Sequence, residues 1–198
     1  MFGNPIENSL LWTKDKFINL CNKIGDGLHG TPKYVEEGDF YFINGNNLNY
    51  KQIEIYENTK RISEEEYKKN WKDLTSNTVL LSINGTLGHT SFYKGEKVML
   101  GKSVCYLNLN SKLNKYFILE FFNTDYWKDY MFNNSTGSTI SNFGLTTLKN
   151  FKMIVPPIEL QNEFADFAKL IDKSKLIIEK QIKELQDLFN SKMDQYFG

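Results

Sequence analysis

The C-terminal fifth of the chain carries an amphipathic pattern that is too long for an ordinary globular domain. Between Pro157 and Gly198 the sequence contains neither Gly nor Pro. Apolar residues recur there close to the 3.6-residue period of an α-helix. The stripe is interrupted near Ser174 and Lys192, and it comprises Leu160, Phe164, Phe167, Ile171, Ile178, Ile182, Leu185, Phe189 and Tyr196.

A helix over this segment would extend for roughly 60 Å, which exceeds the width of a domain of about 150 residues. Leu176, Ile177 and Leu188 widen its apolar surface further. We therefore expect a second helix beside it, either from another part of an assembly or from another copy of the chain. The alternative is a helix that breaks near Lys173-Ser174-Lys175 and folds back onto its own domain.

Pro156-Pro157 divides the 198-residue chain into a mixed N-terminal part, residues 1–155, and the helical part, residues 156–198. Pro157 suits the first position of the long helix. In the N-terminal part, apolar patterns predict strands at 40–44, 79–83, 89–93 and 103–109, with a last strand in "FKMIVP".

Helices in the N-terminal part are predicted at 112–123, at 125–132 and at 63–70, where Ser63 and Glu66 match a capping box. Asn84-Gly85 and Lys94-Gly95 predict hairpins. The expected fold class is α+β, a mixed-sheet domain followed by one long helix that pairs with a partner helix.

The segment "GDGLHG" matches G-x-G-x-x-G, a pattern typical of dinucleotide-binding turns. Such a turn must open a helix, whose N-terminus then faces the pyrophosphate. Here Pro32 disfavours helical geometry at Thr31, and Gly38 interrupts soon after. We interpret the glycines as a loop.

Composition excludes several classes of protein. The 24 basic and 24 acidic side chains cancel, and residues 1–155 carry a net charge of only +2 (18 basic, 16 acidic). No signal-peptide pattern and no run of 18 apolar residues is present, so a soluble, cytoplasmic protein without membrane contact is expected. Cys21 and Cys105 are isolated and lack metal-ligand spacing. Lysines account for 23 of the basic residues, and Arg61 is the only arginine.

Several segments together resemble the DNA specificity subunit of type I restriction-modification systems. They are "IGDGLHGTPKY", "NTVLLSINGTLGHT" and "STGSTISNFGLTTLKNFKMIVPPIELQNEF". "MFGNPIEN" and "FNSKMDQYFG" both resemble the segment after the long helix in that family, so the sequence at the end of the chain nearly repeats the sequence at its start. One departure is Leu160, where the family often has Glu.

The resemblance implies a role. A full subunit carries two target recognition domains and two antiparallel helices, and each domain reads half of a bipartite DNA target. The subunit performs no chemistry, but positions adenine methyltransferase subunits, which a restriction subunit can join. This chain matches one domain and one helix, so it resembles half a subunit. The missing helix would come from a second copy or from a different half.

The candidate DNA-contacting residues are polar side chains in four loops, because amide and hydroxyl groups can read base edges and lysines can bind phosphates. The alternatives are ordinary turn chemistry for the asparagines, a structural role for His29 and a mobile loop at residues 133–142. The candidates are His29, Thr31, Lys33, Tyr34, Asn44, Asn46, Asn47, Asn84, Thr86, His89, Thr90, Lys94, Ser135, Thr136, Ser138, Thr139, Ser141 and Asn142. Asp26 is expected to accept backbone N–H groups.

Catalysis by this chain is not expected, nor is a cofactor or metal. A methyltransferase resembling the known ones would need Asn/Asp-Pro-Pro-aromatic, and "VPPIE" lacks the amide and the aromatic. His29 and His89 lie in separate segments, without metal-ligand or catalytic spacing. The small charge bias predicts weak non-specific DNA affinity, supplemented by partner subunits. The rival interpretation is a protein–protein adaptor that modulates an intact complex without reading DNA.

Overall fold

The computed structural model describes residues 2–3, 7–137 and 141–198. Its central sheet is antiparallel and has the order β2-β11-β8-β9. These strands are β2 (Cys21–Asp26), β8 (Thr78–Ser82), β9 (Thr90–Phe92) and β11 (Val104–Leu109). A separate two-stranded pair, β1 (Thr13–Lys16) and β12 (Lys152–Val155), leads into the C-terminal helix.

A second sheet is mixed and has the order β10-β4-β7-β3. It consists of β3 (Tyr34–Val35), β4 (Phe40–Ile43), β7 (Arg61–Ile62) and β10 (Val98–Leu100), with β4 and β10 parallel. A short hairpin joins β5 (Leu48–Asn49) to β6 (Gln52–Ile53). The helices are α1 (Glu64–Lys69), α2 (Lys115–Asn123), α3 (Asp125–Asn133), α4 (Leu145–Asn150) and α5 (Ile158–Phe197).

The central sheet is buried on both faces, and its strands alternate between two cores. In β8, Val79 and Leu81 pack with the helices, whereas Leu80 packs towards the second sheet. β11 alternates in the same way, with Cys105 on the first side and Tyr106 on the second. This is the period of two that a pleated strand imposes.

Trp127 occupies the centre of the larger core. It is fully buried, and its ring lies 4.9 to 6.0 Å from those of Phe17, Phe121, Phe122, Tyr130, Phe143 and Phe151. The pairs are edge-on, tilted or stacked, geometries that aromatic rings prefer. This cluster fixes α2, α3 and α4 against one face of the sheet.

α5 is one continuous helix of 40 residues, so the alternative of a break at Lys173-Ser174-Lys175 is wrong. Only Gln161, Ala165 and Ala168 are buried along it. They lie on one face, because they are spaced three or four residues apart. After Asp172, every residue of α5 is exposed.

The α+β fold class, the predicted strands β4, β8, β9, β11 and β12, and the three short helices α1, α2 and α3 are confirmed, with small shifts of their ends. Lys94-Gly95 does not form a hairpin, since β10 pairs with β4 rather than with β9. Ser63 caps α1 through the Glu66 N–H, but the Glu66 carboxylate accepts from Asn70 instead of completing the box. Pro157 is the N-cap of α5 rather than its first residue.

Gly27 is required by a close approach of two backbones. Its N–H donates to the Val104 carbonyl at 3.2 Å, and the next N–H, of Leu28, donates to Leu100 at 2.7 Å. A Cβ on Gly27 would collide with the carbonyl groups of Leu100 and Gly101. No helix follows the glycine pattern, in agreement with its interpretation as a loop.

Gly27→Ala is expected to lower the free energy of unfolding by about 3 kcal/mol, because backbone atoms cannot yield to the added methyl group. The melting temperature would fall by about 6–12 °C. Gly30→Ala is the matched control, since nothing lies within 4 Å of its Cβ position. Equal melting temperatures for the two variants would contradict this account.

Candidate nucleic-acid interface

Five polar segments meet at one end of the two sheets. Ser82 at the end of β8 pairs with Val104 at the start of β11, and Cys105 pairs with Asp26 at the end of β2. In the second sheet, the ends of β4 and β10 coincide, with Ile43 beside Leu100. The loops that leave these strands are therefore neighbours. We call the surface formed by the described residues of these segments the loop edge: 26–31, 44–47, 83–89, 101–103, and 135–137 together with 141–142.

The 44–47 segment is tied to two other segments of the loop edge. The Thr86 hydroxyl donates to the Asn46 side-chain oxygen at 2.7 Å. Ser103 Oγ donates to Asn44 Oδ1 at 3.2 Å and accepts from the Gly45 N–H at 3.0 Å. Asn44 and Asn46 remain exposed, so each presents the rest of its amide to solvent.

Residues 135–137 and 141–142 are bonded to each other and to the rest of the loop edge. Asn84 Nδ2 donates to Asn142 Oδ1 at 3.2 Å, and the Gly85 N–H donates to the Ser141 carbonyl at 3.0 Å. Thr136 and Asn142 exchange two backbone hydrogen bonds. The predicted contacts Ser138 and Thr139 lie outside the described residues. Ser135 donates to the Met131 carbonyl at 2.6 Å, at the end of α3.

The 26–31 segment presents a hydrogen-bonded histidine and aspartate at the surface. His29 Nε2 lies 2.6 Å from Asp26 Oδ2, and the histidine side chain is 69% exposed. The Asp26 carboxylate therefore pairs with a side chain, whereas the sequence predicted that it would accept hydrogen bonds from backbone N–H groups. Thr31, Lys33 and Tyr34 follow as exposed residues, Tyr34 on edge strand β3.

Three predicted contacts do not fit this surface. Asn47 is buried, and its amide serves the fold: Nδ2 donates to the Glu54 carbonyl at 2.8 Å, and Oδ1 accepts from the Asn44 N–H at 3.0 Å. Thr90 is buried within β9. Lys94 is exposed but lies at the opposite end of β9 from His89, beyond the Phe92–Val79 pair.

Lys102 is a residue of the loop edge that the sequence patterns did not indicate. It is exposed in the turn from β10 to β11, between Gly101, whose N–H donates to Ile43, and Ser103, whose carbonyl accepts from Ile83. Within the described part of the chain, no ion pair involves Lys102. The sequence pattern that could have indicated Lys102 is Gly-Lys-Ser between two apolar strands.

A polar groove adjoins the loop edge beside the 44–47 segment. It has a volume of about 540 Å³, and Asn44, Asn46, Tyr56, Asn58 and Lys60 contribute to its walls. The Lys60 carbonyl accepts from the Phe42 N–H, which places Lys60 beside β4. Asn58 and Lys60 are exposed and were not predicted.

The helical stripe forms a second candidate surface. Leu160 and Phe164 are half-buried, and the Phe164 ring lies 5.3 Å from that of Phe2. The remaining predicted interface residues are 41 to 65% exposed: Phe167, Ile171, Ile178, Ile182, Leu185 and Phe189. At 100° per residue they point roughly a quarter turn away from the face that Gln161, Ala165 and Ala168 pack against the domain.

Metal and nucleophile chemistry find little support in the described residues. Within residues 2–3, 7–137 and 141–198, His, Cys, Asp and Glu side chains form no cluster of three that could hold a metal ion. Burial raises the pKa of Cys21 to about 12 and the pKa of Cys105 well above its usual range. Both thiols are therefore protonated at neutral pH, which makes them poor nucleophiles.

In the described part of the chain, no helix combines the length and the apolar character needed to cross a bilayer. Even the 40-residue α5 contains no stretch of sufficient apolar length.

A comparison of the sequence with known families assigns most of these elements to one family. Residues 20–186 match the family described as type I restriction modification DNA specificity domain. The match runs from the start of β2 to well inside α5, and it includes every segment of the loop edge. The chain belongs to this family.

Solved structures of specificity subunits share the fold. The type I restriction-modification S subunit from M. genitalium is 18% identical, with a TM-score of 0.60 over 93% of this chain. The HsdS subunit from Thermoanaerobacter tengcongensis is 15% identical, with a TM-score of 0.62 over 86%. A structure from a study of complex assembly and conformational transition of the type I R-M system is 16% identical, with a TM-score of 0.58 over 91%. The chain spans 45%, 39% and 43% of these proteins, respectively.

The two neighbouring asparagines Asn46 and Asn47 should differ in their effect on the stability of the specificity domain. Asn47→Ala removes a buried amide and leaves two partly buried backbone groups without its hydrogen bonds, so it is expected to cost about 2 kcal/mol of unfolding free energy. Asn46→Ala changes an exposed side chain and should cost less than about 0.5 kcal/mol. Urea unfolding measures both values, and an unchanged Asn47→Ala variant would refute the structural role of this amide.

Proposed function

We propose that residues 1–155 form a target recognition domain that reads one half of a bipartite DNA site through the loop edge. Residues 156–198 form the spacer helix, which pairs with the helix of a second copy. The paired chains position adenine methyltransferase subunits, which carry out the chemistry. The observation that carries this proposal is the convergence of five polar segments on one surface of a specificity-domain fold.

The side chains of the loop edge suit the reading of DNA. Asn84, Asn142 and Asn46 carry amides that can pair with the N6 and N7 atoms of adenine in the major groove. Hydroxyl groups of Thr86 and Thr136 can contact either base edges or phosphates. Because the amides already have hydrogen-bond partners within the loop edge, the surface is ordered before DNA arrives, and less conformational entropy is lost on binding.

Positive charge at the loop edge is sparse, which favours a composite binding site. Lys102 provides one cation at its centre, and Lys33 and Lys60 lie on the adjoining loop and groove. A few phosphate contacts give only weak, salt-sensitive attraction to any DNA sequence. Methyltransferase subunits would therefore add the basic surface that encloses the duplex.

The apolar stripe of α5 is self-complementary in the antiparallel sense. From Ile171 to Tyr196 its residues are separated by seven, four, three, four and seven positions, an order that is the same in both directions. An antiparallel copy centred between Lys183 and Glu184 would therefore place Ile171 opposite Tyr196, Ile178 opposite Phe189 and Ile182 opposite Leu185. This symmetry favours a second copy of the chain as the partner.

The two interruptions of the apolar stripe, near Ser174 and Lys192, would also face each other in this antiparallel register. Lys175 would lie opposite Lys192, where the aliphatic stems of both lysines can cover the seam while their ammonium groups reach water. The two Gln161 residues, at which the helices leave their domains, would then lie about 68 Å apart, on the order of two turns of B-DNA. A two-fold dimer with this spacing would read inverted half-sites.

Methylated adenines, mapped by sequencing in cells that contain this chain and its methyltransferase, would test the reading of DNA. We expect a bipartite, inverted site with an unread spacer. Asn84→Ala together with Asn142→Ala should relax base preference within each half. An unaltered methylation pattern in that variant would favour a non-reading adaptor, and an asymmetric site would indicate a different second half.

Lys102→Ala should weaken binding of the assembled methyltransferase complex to all DNA sequences alike. Loss of one phosphate contact is expected to lower the slope of log affinity against log salt by about 0.9. Lys23→Ala is the matched control, since Lys23 is exposed on β2 beside Asn108, far from the loop edge. Identical salt slopes for the two variants would remove Lys102 from the interface.

Ile182→Asp should convert the dimer into monomers in sedimentation experiments, because a carboxylate would replace an apolar side chain at the centre of the seam. The register can be tested by mixing an Ile182→Cys chain with a Leu185→Cys chain, which should form an intermolecular disulfide under oxidation. Ile178→Cys mixed with Leu185→Cys is the control and should cross-link poorly. A wild-type chain that remains monomeric at high concentration would contradict the proposed pairing.

A further inference from the structure

The turn between β5 and β6 adopts a conformation that its residues do not favour. Tyr50 and Lys51 are its two central residues, and both have positive φ, 31° and 65°. A two-residue hairpin of this kind favours Asn-Gly, because residues with a larger side chain are strained there. Strain of this type persists where surrounding contacts hold it, and it often marks a position of functional importance.

The contacts of the turn reach the long helix. Lys51 Nζ lies 2.7 and 2.9 Å from the two carboxylate oxygens of Asp172 on α5, and 3.0 Å from Glu120 on α2. The Tyr50 hydroxyl donates to the same Glu120 carboxylate. The Lys51 side chain is only 15% exposed, so its ion pairs are partly shielded from water.

The charge of Lys51 is secure at neutral pH. Burial acts to lower its pKa, but the hydrogen bonds with Asp172, Tyr50 and Glu120 outweigh burial and raise the pKa above its usual range. Burial and the Glu120 hydrogen bond raise the pKa of Tyr50 to about 12, which keeps its hydroxyl protonated.

The other end of the same hairpin is part of the loop edge. Asn47 and Glu54 close it, with the Glu54 N–H donating to the Asn47 carbonyl at 2.8 Å. Asn46, the residue before, is bonded to Thr86. Leu48 is buried against the central sheet, so the hairpin is a packed element rather than a free loop. It connects the loop edge to Asp172 over about 14 Å.

Asp172 is the outermost point at which α5 is attached to the domain. Gln161, fully buried and with three hydrogen bonds, is the innermost, and buried Ala165 and Ala168 pack between them. The Asp172 contact extends the attached length of the helix from about 10 Å to about 16 Å, and a longer attached length resists a pivot of the helix better. The proposed dimer centre lies about 34 Å from Gln161, so a pivot of about 10° would displace it by about 6 Å. That displacement is close to two base-pair steps along DNA.

We propose that Tyr50 and Lys51 are positioning residues, which hold α5 at a fixed angle to the loop edge and thereby set the number of base pairs between the two half-sites. This inference rests on the proposed function. It separates two properties of the protein: the loop edge determines which bases are read, and the Lys51–Asp172 contact determines how far apart they are.

The decisive experiment measures methylation by the assembled complex on duplexes that keep both half-sites and differ in spacer length by one base pair at a time. Lys51→Met should reduce the preference for the best spacer over its neighbours by about tenfold, since displacements of a few ångströms have effects of this size in positioned reactions. The bases preferred within each half-site should stay the same. Lys51→Arg should keep the spacer preference of the wild type. Asp172→Asn, which weakens the same contact from the helix, should reduce the preference as Lys51→Met does.

Lys180→Met is the matched control, because Lys180 pairs with Glu184 on the free part of the same helix. It should leave spacer preference unchanged. Full spacer preference in both Lys51→Met and Asp172→Asn, with melting temperatures close to that of the wild type, would overturn the inference. Failure of the wild-type complex to prefer any half-site would instead overturn the proposed function.

A second measurement does not depend on DNA. Spin labels can be attached at Lys69→Cys on α1 and Lys183→Cys on α5, since the native cysteines are buried. With labelled chains diluted in excess unlabelled chain, the distance distribution should be narrow in the wild type and clearly broader in Lys51→Met. Equal widths would show that the contact does not orient the helix.

Discussion

The attachment of α5 to the domain begins at one buried polar side chain, Gln161. Its amide donates to the carbonyl groups of Lys112 and Pro156 and accepts from the Asn114 N–H, so both of its N–H groups and its oxygen have partners. A buried amide without these partners would be destabilising. Because the partners belong to the domain, the first turns of the helix are fixed by the fold itself. The remaining length of α5 therefore projects with its apolar stripe uncovered.

The pairing of β8 with β11 has a comparable role for the loop edge. Each strand contributes alternate side chains to two cores, which sets the register of both strands. That register brings Ser82, Val104 and Asp26 to one end of the sheet. Segments as distant in sequence as residues 26–31 and 141–142 thus become parts of one surface. A change of register by one residue would separate them, so the interface and the core share the same determinants.

Local patterns predict those elements whose signal lies within a few residues. The long helix and strands β8 and β11 are runs of apolar residues with a clear period, and their predictions are confirmed. β2 was missed because Lys23, Gly25 and Asp26 obscure its alternation. The Lys94-Gly95 prediction was wrong, since a local turn preference cannot reveal that β10 pairs with β4 across 57 positions. For the candidate site, polar patterns indicated most of the loops but included buried Asn47 and Thr90 and omitted Lys102.

The order of residues along single segments encodes the strongly periodic secondary structure, the family of the chain and the apolar stripe of α5. Each of these properties can be recognised without knowing which distant segments meet. Tertiary packing, in contrast, selects the polar residues that share a surface and the angle at which the helix leaves the domain. Lys51 and Asp172 are separated by 121 positions, and no local pattern links them. Their contact exists because the packing of the hairpin and of Gln161 brings two distant segments within reach of an ion pair.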